Sequence, residues 1–132
     1  MLKKLISVLL LITLCATLSA CASKKKLEPG EYICKDSEEP VMFAVLRLSE
    51  DGEFLLIPSM LSSFHGVGSY SIHGDTLTLD CFDNNRYTFI ITDGGLMFDG
   101  ENSSGNMGSP SGFSDGSVFS VNDGEPIFES TK

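Results

Sequence analysis

Two histidines, four cysteines and a scatter of serines and carboxylates are the residues of this 132-residue chain whose types and spacing could do chemistry. His65 and His73 are the whole supply of imidazole, and neither stands beside a second histidine or a cysteine pair, so a zinc site has nothing to build on. Asp99, Glu101, Asn102 and Asn106 make an oxygen-rich run that lacks the ligand spacing and internal glycine of an EF-hand loop; a solvated turn explains it more simply. Ser62, Ser63 and His65 lie close enough in sequence to suggest a nucleophile and its base, yet no Gly-x-Ser-x-Gly elbow is present. The pair Glu38-Glu39 sits in a polar stretch with nothing to raise a carboxyl pKa. The expectation is therefore a chain with no catalytic residue, no metal ligand and no cofactor. The cysteines remain.

Cys15 and Cys21 lie in an N-terminal segment with two lysines in residues 1–4, an apolar run over 5–14 and small residues over 15–20. Basic, apolar, then small is the layout of a secretory signal peptide. The segment ends in Leu18-Ser19-Ala20-Cys21, which resembles the lipobox of bacterial lipoproteins. That resemblance implies cleavage after Ala20, loss of residues 1–20 with Cys15, and a diacylglyceryl thioether on Cys21. The protein is then held by lipid on the extracytoplasmic face of the cell membrane. One acyl chain binds a bilayer only marginally, whereas two hold it stably at about 0.8 kcal/mol per buried methylene. Two other readings compete. The uncharged stretch over 5–23 is just long enough to span a bilayer, although its second half is too polar for a spanning helix. An ordinary signal peptide, in which Cys21 is incidental, is the other. Residues 21–26 read as the lipidated cysteine and a basic tether, whose Lys24, Lys25 and Lys26 either favour anionic headgroups by about 1 kcal/mol each or are simply solvated.

The elements behind the tether come from residues 27–132, enough chain for one domain with a core. Lys35, Arg47, Arg86 and Lys132 stand against all 18 acidic residues, a net charge of −14. Such a domain is a poor match for nucleic acid, whose phosphates are met by lysine and arginine. Short apolar runs recur over 30–34, 41–49, 53–58, 67–72, 76–81, 86–92, 96–99 and 117–121, with a weaker one over 126–129. Turn residues such as Glu50-Asp51-Gly52, His73-Gly74-Asp75, Asp83-Asn84-Asn85 and Asp93-Gly94-Gly95 separate them. Within the runs the period is two: Tyr70, Ile72, Leu77, Leu79, Cys81, Tyr87, Phe89, Ile91, Leu96 and Phe98 fall on one face, and Ser69, Ser71, Thr76, Thr78, Asp80, Arg86, Thr88 and Thr92 on the other. No helical period follows Ser23, and residues 59–64 suit a single turn. The expected fold is all-β, a small antiparallel meander closing as an up-and-down β-barrel of about eight strands, because closure also hides the edges. Residues 100–116 are mostly Gly, Ser, Asn and Pro and read as a loop, with Met107 and Phe113 able to dock on the barrel.

Four pieces, Gly68-Ser69-Tyr70, Tyr87-Thr88-Phe89, Glu101-Asn102-Ser103-Ser104 and Asp115-Gly116-Ser117-Val118-Phe119, resemble a small extracytoplasmic β domain of Firmicute lipoproteins. A similar module is appended to membrane metallopeptidases of the BlaR1 type. The resemblance spans about half of the mature chain and implies a cell-envelope setting and a β fold. It brings no assigned chemistry, and the peptidase's helical zinc motif is absent from this sequence.

With Cys15 discarded and Cys21 lipidated on the lipobox resemblance, Cys34 and Cys81 remain. Cys34 shares a face with Tyr32 and Cys81 with Leu79, so both thiols point toward the core. Outside the cytoplasmic membrane a disulfide is permitted. Two buried free thiols acting as small hydrophobes are the equal alternative. The function expected is that of a non-catalytic, membrane-anchored lipoprotein whose β domain binds or senses an envelope partner. The alternative is a lipocalin-like carrier of a small apolar ligand, since barrels of about eight strands can enclose one.

Overall fold

The computed structural model describes residues 26–36, 42–105 and 112–127. The signal segment, Cys21, the first part of the tether, Glu38-Glu39 and Met107 lie outside the described residues. The fold is all-β. Strands Gly30–Cys34 (β1), Ala44–Leu48 (β2), Glu53–Ile57 (β3), Gly66–His73 (β4), Thr76–Cys81 (β5), Arg86–Thr92 (β6), Gly95–Ser104 (β7) and Val118–Val121 (β8) form a closed antiparallel barrel in chain order. The alternation of apolar and polar residues decides which side chains enter it. Leu46 pairs with Leu56, Leu79 with Tyr87 and Phe89 with Phe98, so that each inward residue meets another across the ladder. Gly74, with φ of 59°, supplies the left-handed residue of the β4–β5 hairpin.

The interior is filled. Tyr32, Leu46, Leu56, Leu79, Tyr87 and Phe89 belong to one cluster of buried side chains. Within it Phe89, Phe98, Phe113 and Phe119 form a closed ring of four phenyls, with centroids 4.9 to 5.3 Å apart between neighbours. Edge and tilted contacts of this kind add about 0.5–1.5 kcal/mol each to the burial itself. Phe113 comes from the connection between β7 and β8 and closes the end of the barrel at which β3 finishes. There the Gly112 N–H donates to the Pro58 carbonyl at 2.7 Å. A Cβ at position 112 would collide with the Met42 carbonyl, so only glycine lets the connection lie this close.

Two expectations are corrected where β6 meets β7. The residues from Gly100 on are not all loop, because β7 runs on to Ser104. Thr88, expected on the wet face, is only 7% exposed. Both follow from one network in which polar side chains take the place of a core. Asp99 accepts the Asn102 N–H and side-chain amide, and the Ser103 hydroxyl donates to the Asp99 carbonyl. Ser103 Oγ in turn accepts the Thr88 N–H at 2.8 Å, and Thr88 Oγ1 donates to the Asn102 carbonyl. The pairing of β6 with β7 shifts register at this point, between Arg86 and Thr88. The weak run over 126–129 is not borne out where it is described, since Pro126 and Ile127 are outside any strand.

The barrel closes where β1 meets β8, through Tyr32 with Val121 and Ile33 with Ser120. The seam is short, and Glu31 reinforces it from outside. Its carbonyl accepts the Asn122 N–H, and its carboxylate accepts the Asn122 side-chain amide at 2.8 Å, the Ile127 N–H at 2.9 Å and Arg47 at 3.4 Å. With eight strands running alternately up and down, the chain enters and leaves at the same end. Tyr32 ties the entry down by donating from its hydroxyl to the Glu28 carbonyl at 2.6 Å.

Candidate functional site

The residues that could do chemistry are kept apart by the fold. His65 lies just before β4 and His73 at its far end, about 26 Å away at roughly 3.3 Å per extended residue, too far to share a ligand. Ser62 is occupied in a turn, its N–H donating to the Ser59 carbonyl and its Oγ accepting the Phe64 N–H. Among the described residues no three of His, Cys, Asp and Glu are placed to hold a metal ion. Asp99 and Asn102 bond each other in the β7 network, and Asn106 lies outside the described residues.

Cys34 and Cys81 are both buried and both free, the second of the two readings that the sequence left open. Cys34 stands on β1 and Cys81 on β5, walls of the barrel with three strands between them. In a closed eight-strand barrel these two strands face each other across an interior occupied by other side chains, and the thiols are not joined. Burial pushes both thiols up, at Cys34 against a backbone hydrogen bond at Asp36; at Cys81, burial followed by Asp83 and Asp80 raises the pKa to about 11. These thiols are inert rather than activated. Tyr87 is buried with no hydrogen-bond partner for its hydroxyl, and burial, then Cys81 and Asp83, push its pKa up to about 12.

What the fold assembles is a surface. Outward residues of successive strands pair as Arg47 with Leu55 and Leu55 with Val67. The Phe82 N–H donates to the Val67 carbonyl, which continues the row into the β5–β6 turn. Val67 is 42% exposed and Phe82 80%. Strands in a barrel are tilted, so the row climbs obliquely from the Glu31–Arg47 pair toward the end opposite the one where the chain enters. Met60 and Leu61, in the β3–β4 connection, are exposed at that same end. The following row on the same face is polar: Glu53 pairs with Ser69, Ser69 with Asp80 and Asp80 with Arg86, the last joined by an ion pair of 2.7 Å.

Comparison with known proteins adds nothing to this surface. No family model, curated protein or solved structure matches this chain. The row was legible in part, because alternation that turns Cys81 inward must turn Phe82 outward into water. The pairing that brings Leu55, Val67 and Phe82 side by side, and the Glu31 clasp, join residues far apart in sequence and leave no local trace in it.

Proposed function

We propose that this chain is a lipoprotein anchored through Cys21 to the extracytoplasmic face of the cell membrane, whose barrel binds an envelope partner and does no chemistry. The observation that carries the binding half is the exposed apolar row ending in Phe82, at the end of the barrel away from the tether. A large aromatic ring held in water costs solvation free energy that a partner recovers. The anchoring half is supported by the lipobox resemblance and by a tether of residues 21–26 leading directly into Leu27, which packs against the core. The carrier alternative gains no support from the interior, which is occupied by the cluster of Tyr, Leu and Phe side chains.

The two halves are tested separately. Changing Cys21 to Ala should release the protein to the medium or stall it as an unprocessed precursor in cell fractionation. Mature-length protein that still partitions with membranes would overturn the anchor. A photo-crosslinking residue at position 82 should join the protein to an envelope protein in living cells, while one at Thr78, outward on β5, should not.

A further inference from the structure

The acids beside the apolar row set the chemistry of what covers it. Glu53 and Asp80 lie two residues along their strands from Leu55 and Phe82, hence on the same face and next to the row, and Asp83 follows Phe82 directly. Arg86 pairs with Asp80, and Arg47, the neighbour of Leu55 across the ladder, pairs with Glu31; Glu53 and Asp83, the latter accepting from Asn85, then leave the margin acidic on balance. The domain as a whole carries −14.

Resting on the binding reading above, we propose that the row Leu55, Val67 and Phe82 takes an apolar segment of a partner protein that carries lysine or arginine beside its apolar side chains. Charge decides among the occupants. A second copy would bring −14 against −14, and an anionic lipid surface is repelled in the same way. A basic partner is drawn to the margin before contact and is then held by the apolar row. Neighbouring side chains of the row are about 5 Å apart, so it accommodates two or three side chains of an extended strand or one face of a helix.

Two synthetic peptides with the same apolar pattern, one flanked by lysines and one by glutamates, test this by fluorescence anisotropy against residues 21–132. The lysine peptide should bind, about tenfold more weakly at roughly 0.5 M than at roughly 0.05 M salt. It should lose about tenfold in affinity with Phe82→Ser, and a smaller factor with Glu53→Gln. Phe82 is exposed, so its replacement leaves the fold in place, which the melting temperature checks. Equal binding of the two peptides, no binding of either, or indifference to Phe82 overturns the inference. The crosslink at position 82 separates this from the parent reading. A captured partner whose contacting surface is acidic sinks the basic-partner inference alone, whereas no captured protein sinks the binding function itself.

Discussion

Glu31 shows how much one buried carboxylate can organise. It is 8% exposed, and burial by itself would raise its pKa, but the Ile127 N–H, the Asn122 amide and the Arg47 guanidinium outweigh burial and hold it below the ordinary 4.5. A carboxyl with a lowered folded pKa contributes stability that is complete above its unfolded value and is lost as pH falls through the folded one. Glu31→Gln should therefore cost about 1–3 kcal/mol in urea denaturation near neutral pH. The gap between the two proteins should close as the pH drops below about 4.5, where the wild type loses the charge as well. The opposite sign is expected at Tyr87. Its hydroxyl is buried without a partner, so Tyr87→Phe removes an unmet desolvation cost and should raise stability by about 1 kcal/mol by the same measurement. A loss instead would mean that the hydroxyl bonds a buried water.

Among the elements, the connection between β7 and β8 has more weight than its composition suggests. Phe113 touches both Phe98 and Phe119, at 4.9 and 5.0 Å between centroids, and completes the phenyl ring. Phe113→Ala should cost about 3–5 kcal/mol in denaturant unfolding, whereas Phe82→Ala, on the outer surface, should cost less than about 0.5 kcal/mol. The strands themselves were legible because a period of two is a local signal: β1, β5 and β6 begin and end where turn residues and alternation put them. The continuation of β7 to Ser104 was not. Its stabilisation comes from the Asp99, Asn102, Ser103 and Thr88 bonds, which join two strands across a register shift, and Gly, Ser and Asn carry no apolar period to announce it. The thiols divide the same way. Alternation turned Cys34 and Cys81 inward correctly, but whether two inward residues meet depends on which strands are neighbours, and that is known only when the barrel is closed.

For the whole molecule, −14 on a domain of this size is a self-repulsion that closure must overcome. Raising salt from about 0.01 to about 0.15 M shortens the Debye length from about 30 to about 8 Å, so the melting temperature should rise by a few degrees. A fall would show that the Glu31–Arg47 and Asp80–Arg86 pairs outweigh the general repulsion. The up-and-down alternation has one more effect, because Phe82 follows the fifth strand. Chain entry at Leu27 and the ring of Phe82 lie at opposite ends, so under the anchoring and binding proposed above a pull between membrane and partner would run along the strands. Loaded in that direction, the ladders are sheared, and several hydrogen bonds share the force at once instead of opening one after another. The weak point under tension is then the short seam between β1 and β8, where Tyr32 and Ile33 pair with Val121 and Ser120 and the Glu31 clasp works as a mechanical rivet.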